Sequence, residues 1–99
     1  MTTPLSEEEI KDALSTLPGW EYHSDKITKT FQLQSFREAM AFLVRIAFSA
    51  EEADHHPEIY NLYNRVTISL NTHHSGGKVT IKDIKLARSI ENFNWIDPS

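Results

Sequence analysis

The chain of 99 residues carries 10 Lys and Arg against 14 Asp and Glu, for a formal charge of −4, and it contains no cysteine. Nucleic-acid binding depends on clustered cations that neutralise phosphates, so this balance argues against it as the main activity. The missing cysteines exclude disulfides and thiolate metal sites.

The length fits one domain over residues 1–99, with a core large enough to need no covalent staple. Residues 1–9 end in Glu7-Glu8-Glu9 and lack the basic and apolar regions of a secretory leader. The longest apolar run, residues 40–44, is far too short to span a bilayer. A cytoplasmic protein without membrane contact is the expectation.

Three helix starts share one grammar: Ser6 precedes Glu9, Ser35 precedes Glu38 and Thr80 precedes Asp83. The first two read as full capping boxes, and aspartate makes a shorter-armed variant of the third. Leu5 with Ile10 and Val79 with Ile84 have the spacing of hydrophobic staples. Pro18-Gly19 closes the first helix early. Trp20-Glu21-Tyr22 and residues 27–33 then flank His23-Ser24-Asp25-Lys26, which reads as a hairpin turn.

The second helix is predicted over residues 36–53 and is apolar around its whole circumference: Phe36, Met40, Phe42, Val44, Ile46 and Phe48 fall on several faces. A helix on one core needs only a stripe. Its second face is therefore expected to meet another subunit, in a homodimer or homotetramer. Residues 59–63 and 66–72 form a second strand pair across Asn64-Arg65, with Val66, Ile68 and Leu70 alternating against Thr67, Ser69 and Asn71. Ser75-Gly76-Gly77 breaks the chain before a third helix over residues 81–93. Lys78, Lys82 and Lys85 read as a solvated face of that helix, and residues 97–99 as a frayed tail. The order αββαββα predicts an α+β fold: a four-stranded antiparallel sheet with three helices packed on one face.

Four of the five histidines fall in two pairs, His55-His56 and His73-His74. Glu51, Glu52, Asp54 and Glu58 crowd the first pair, and nearby negative charge favours imidazolium, a general acid near neutral pH. Pro57 turns His56 away from helical geometry, so the chain leaves its helix there. Both pairs thus stand at element ends, where side chains can fan into a cleft. Surface histidines are common at such places, so spacing alone leaves a solvated pair open for each. Metal binding is disfavoured: neighbours in extended chain point to opposite sides, and no H-x-x-x-H or H-E-x-x-H spacing occurs. No G-x-S-x-G elbow or Walker-type glycine pattern occurs either.

Read together, Glu51, His55-His56-Pro57, Tyr63, His73 and Asp83 at their spacings resemble the pterin-4a-carbinolamine dehydratase family. The resemblance extends over nearly the whole chain, including the Pro18-Gly19-Trp20 segment before strand one. It implies dehydration of 4a-hydroxytetrahydrobiopterin or a related pterin to the quinonoid dihydropterin, with no metal or other cofactor. It also implies His55 and His73 as general acids for different stereoisomers and His56 as the residue that chiefly holds the pterin. Glu51, Pro57, Thr72 and His74 match pocket positions. Asp83 has two compatible readings, cap of the third helix or a carboxylate orienting His73. The alternative function is a protein-interaction module, a dimerisation cofactor of a transcription factor, working through the apolar second helix.

Overall fold

Tight turns and capped helices lay out the chain in a computed structural model that describes residues 2–93. The elements are α1 (Glu7–Leu14), β1 (Glu21–His23), β2 (Lys26–Gln32), α2 (Phe36–Ala53), β3 (Glu58–Leu62), β4 (Arg65–Leu70) and α3 (Ile81–Glu91). A 3₁₀ turn, His73–Ser75, precedes the last helix. The expected αββαββα order is observed. The tail at 97–99 lies outside the described residues.

Capping departs from expectation in an instructive way. Ser6 and Glu9 form the reciprocal box at α1. At α2 the Ser35 hydroxyl accepts from the Glu38 N–H, but the longer Glu38 arm reaches past the cap to the Gln34 N–H. The short arm of Asp83 suits α3 better: its Oδ2 accepts from the Thr80 N–H at 2.9 Å, completing a box there. Both expected staple pairs lie in or against the core.

The sheet is antiparallel in the order β1-β2-β4-β3. Ser24 and Asp25 both have positive φ, 51° and 62°, as a two-residue hairpin turn of matching twist requires. The second hairpin turns at Tyr63-Asn64 rather than at Asn64-Arg65, so Leu62 pairs with Arg65. Asn64 is drawn into the turn by β2: its amide donates to the Leu33 carbonyl at 2.9 Å, and its own carbonyl accepts from the Leu33 N–H. Relative to expectation the pairing moves by two residues, so every side chain keeps its face. Strand β4 also ends at Leu70, short of the expected Thr72.

Ile27 and Phe31 of β2 and Val66, Ile68 and Leu70 of β4 are buried together with Phe42 and Ile46 of α2 and Ile84, Ala87 and Ile90 of α3. Trp20, Phe31, Phe42 and Phe93 run edge to face through this core, with successive centroids 6.1, 4.8 and 5.9 Å apart. The other sheet face is polar. There Thr28 pairs with Ser69 and Thr30 with Thr67 through their hydroxyls, 3.0 and 2.9 Å apart. The three helices accordingly share one face. Near α1's end, Gly19 (φ +85°) lets Lys29 pass close, since a Cβ would stand 2.8 Å from Lys29 Cε. The Lys29 ammonium bonds the Pro18 carbonyl and Glu91, which also accepts from the Trp20 indole.

Helix α2 buries Ala39, Phe42, Ile46 and Ala50 but leaves Phe36, Val44 and Phe48 exposed, the last at 68%. Its apolar circumference therefore has a core side and an open side. Among the described residues, no helix is long and apolar enough to cross a membrane.

Candidate active site

Asp54 ends α2 in the left-handed conformation (φ 50°, ψ 46°), and the His55 N–H returns to the Ala50 carbonyl. This reversal, followed by Pro57, drives the two adjacent imidazoles apart. His55 goes inward and is 8% exposed; His56 stays outside, with Nε2 3.0 Å from Glu51 Oε1.

The inner histidine meets a buried polar network. Its Nε2 lies 2.5 Å from Oδ1 of Asp83, which is fully buried. Oδ2 of Asp83 accepts from the Thr72 hydroxyl and the Thr80 N–H, both at 2.9 Å. Thr72 and Thr80 hydroxyls are 2.6 Å apart. Asp83 thus caps α3 as expected, but the histidine its carboxylate holds is His55, not the expected His73. Its two oxygens divide the tasks.

The second pair arrives from the opposite side. Thr72 bridges to Lys78 instead of prolonging β4, and the intervening loop folds into the 3₁₀ turn carrying His73 and His74. Gly76 and Gly77, at φ 74° and 73°, supply two successive left-handed residues that reverse the chain. The Asn71 amide donates to the Gly77 carbonyl at 3.1 Å and braces the loop. The His73 and His74 rings are exposed and meet edge to face, with centroids 5.8 Å apart.

Both pairs open on one cleft of about 370 Å³, lined by Asp54, His55, His56, Asn71, Thr72, His73, His74 and Lys82. That volume falls within the roughly 300–1,000 Å³ typical of small-molecule sites. Glu51, Pro57 and Asp83 do not line it. Glu51 touches His56, and Asp83 stands behind His55. Thr72 borders the cleft, yet its hydroxyl is committed to Asp83 and Thr80.

Asn71 and Lys82 join the site without having been expected there. Lys82, the second residue of α3, is exposed as the solvated-face reading expects and also borders the cleft. Asn71 follows the last paired residue of β4, and only the strand's early end could have pointed to it. Chemically, the cleft offers imidazoles on two sides, one of them anchored by a buried carboxylate. That arrangement suits proton delivery and removal around a small polar molecule.

Comparison with known proteins identifies the family. A family model described as "Pterin 4 alpha carbinolamine dehydratase" matches residues 3–93. A protein of Opitutus terrae is 50% identical over 96 residues, covering 97% of this chain and 99% of its own. One of Christiangramia forsetii is 49% identical over 92 residues, covering 93% and 94%. Both carry the provisional name pterin-4-alpha-carbinolamine dehydratase. A crystal structure of a "transcriptional coactivator/pterin dehydratase" from Brucella melitensis superposes with a TM-score of 0.85 at 42% identity, covering 90% of this chain and 96% of that one. A pterin dehydratase-like protein identified as a RuBisCO assembly factor of the α-carboxysome shares the fold, with a TM-score of 0.64 at 22% identity over 80% of this chain and 93% of its own. With a family match across nearly its full length and relatives at half identity, this chain belongs to the pterin 4 alpha carbinolamine dehydratase family.

Proposed function

We propose that the protein dehydrates a 4a-hydroxytetrahydropterin to the quinonoid dihydropterin, serving tetrahydropterin recycling in the cytoplasm. The observation that carries this reading is the cleft in which His55, His56, His73 and His74, from two chain segments, come together. Hydroxide leaves poorly from the ring carbon until it is protonated. An imidazolium supplies that proton, the C–O bond breaks and water departs. The lone pair of the adjacent ring nitrogen forms the C=N bond, and the proton of that nitrogen passes to a neutral imidazole. The balance is loss of one water.

In this reading His55 and His73, on different sides of the cleft, are the general acids, each suited to one stereoisomer at the hydroxyl-bearing carbon. His56, held by Glu51, binds the pterin, and His74 shapes the pocket, while Pro57 acts from outside it by turning the chain after His56. Asp83 acts through His55. Positioned acid–base groups contribute about 10²–10⁴-fold, enough for a substrate whose own nitrogen expels the leaving group.

The test follows decay of enzymatically generated 4a-hydroxytetrahydropterin. Wild type accelerates it, His73→Ala abolishes the acceleration and His55→Ala reduces it. A wild-type rate equal to buffer would sink the proposal. The Brucella relative's name also includes a coactivator, but a second copy of this chain would cover the exposed face of α2 as well, and an interaction module needs no histidine cleft.

A further inference from the structure

We propose that Thr80 and Thr72 are positioning residues that act together with Asp83 to fix the tautomer of His55. The proposal rests on His55 being a proton-transfer group, and it adds Thr80, fully buried and outside the cleft lining, to the residues that matter.

Hydroxyl bookkeeping gives the chain of bonds a direction. Thr72 has one hydroxyl hydrogen, and it goes to Asp83 Oδ2 at 2.9 Å. In the 2.6 Å contact between the two threonines, Thr72 must therefore accept and Thr80 must donate. Thr80, its hydrogen so used, accepts from the Lys82 N–H at 3.2 Å. The order runs from the Lys82 amide through Thr80 and Thr72 to Asp83, and no member can reverse without losing a partner. Every buried side-chain polar atom among the described residues is satisfied.

At Asp83 the consequence is local. Oδ2 receives two donors, the Thr72 hydroxyl and the Thr80 N–H, and so acts purely as an acceptor. Oδ1 is left to His55 Nε2 alone. The hydrogen in that contact then comes from the ring, so neutral His55 is the Nε2–H tautomer. Nδ1 has no hydrogen-bond partner among the described residues and is the nitrogen that His55 offers to the cleft it lines. Held this way, Nδ1 takes up the proton that makes the imidazolium acid and is bare once that proton is delivered. The other tautomer would put the transferable proton on the Asp83 side, a fault of proton placement rather than of fold.

The test is ¹⁵N NMR of the His55 ring in the substrate-free protein, with its assignment from a His55→Gln comparison. Wild type should give the pattern of an Nε2–H imidazole in its neutral form; an Nδ1–H pattern overturns the proposal without any variant. Thr72→Val and Thr80→Val should mix the tautomers, while Thr72→Ser and Thr80→Ser restore the wild-type pattern. Assayed in parallel, the valine variants should lose about tenfold in kcat with KM little changed. Backbone amide spectra show whether each variant folds, and the serine variants stand if a valine variant does not. Serine variants with mixed tautomers, or folded valine variants with the wild-type pattern, overturn the proposal. Because the ring signal is read without substrate, a failed dehydratase assay with a locked tautomer counts against the function alone. A working assay with an unlocked tautomer counts against the threonine chain alone.

Discussion

Asp83 and His55 stand 28 positions apart in the chain and 2.5 Å apart in the structure. One carboxylate, buried at the first turn of α3, joins a helix cap to the histidine that leaves the end of α2. Replacing it tests this union. In Asp83→Asn the single amide oxygen is needed by Thr72 and the Thr80 N–H, which turns the NH₂ group toward His55 Nε2. The ring would then have to accept there and carry its hydrogen on Nδ1. The expected result is a folded protein with dehydratase activity lowered roughly 10–100-fold, the range for loss of an orienting partner. Circular dichroism with the decay assay checks it; activity within twofold of wild type would separate Asp83 from the site's chemistry.

The Gly76-Gly77 reversal carries His73 and His74 to the cleft, and its cost can be measured separately from its packing. A Cβ at Gly76 would meet nothing within 4 Å, so Gly76→Ala perturbs only the backbone preference at φ +74°. A left-handed alanine costs about 1–2 kcal/mol. The expected urea curve has a lower midpoint and an unchanged slope. An unchanged midpoint would mean that the loop does not hold this conformation in solution.

Much of this site was legible in the sequence, and what was not has a physical reason. The ends of α2 followed from Ser35 and from the Asp54–Pro57 exit, because caps and prolines act on neighbouring residues. The alternation of β4 located the core face, since period-2 burial is local as well. The partner of Asp83 was not legible. Both histidine pairs lie at element ends, and only the packing of α2 on α3 decides which one meets the carboxylate. The second hairpin turn moved for a similar reason: Asn64 is claimed by Leu33, 31 positions away. Lys82 is exposed as a solvated stripe predicts, and only the fold shows that it shares a cleft with His73 and His74.

A pH effect is expected at the turn of the first hairpin. The hydrogen bond from the Lys78 ammonium, 3.0 Å away, holds the Asp25 carboxyl below its ordinary value. Burial, and then the hydrogen bond to Asp25, raises the Tyr22 phenol above its ordinary value. For a lowered carboxyl, the contribution to stability is complete above the unfolded value of 3.8 and is lost as pH falls through the folded one. For the raised phenol, it is complete below 10.0 and is lost as pH rises through the folded value. Between these limits the turn should stay tied to the loop that carries Lys78. An NMR titration of Asp25 in Lys78→Met should show its midpoint moving back up; no movement would remove Lys78 as the cause.

The exposed side of α2 yields the prediction about assembly. Phe36, Val44 and Phe48 are 49%, 56% and 68% exposed, although Phe42 and Ile46 on the same helix are fully buried. Single exposed apolar residues are ordinary, but three on one helix form a patch that a second copy could cover. A twofold arrangement would place the same residues on both sides of the contact. We therefore expect Phe48→Glu to lower the mass measured by light scattering, because two introduced carboxylates would face each other across such an interface. The fold of each chain should persist, since a surface substitution changes stability by only about 0.5 kcal/mol. Val44→Glu, one turn away on the same side, should act in the same direction. An unchanged mass in both variants would take α2 out of the interface, leaving the exposed edge of β3, with Ile59 and Leu62, as the next surface to probe.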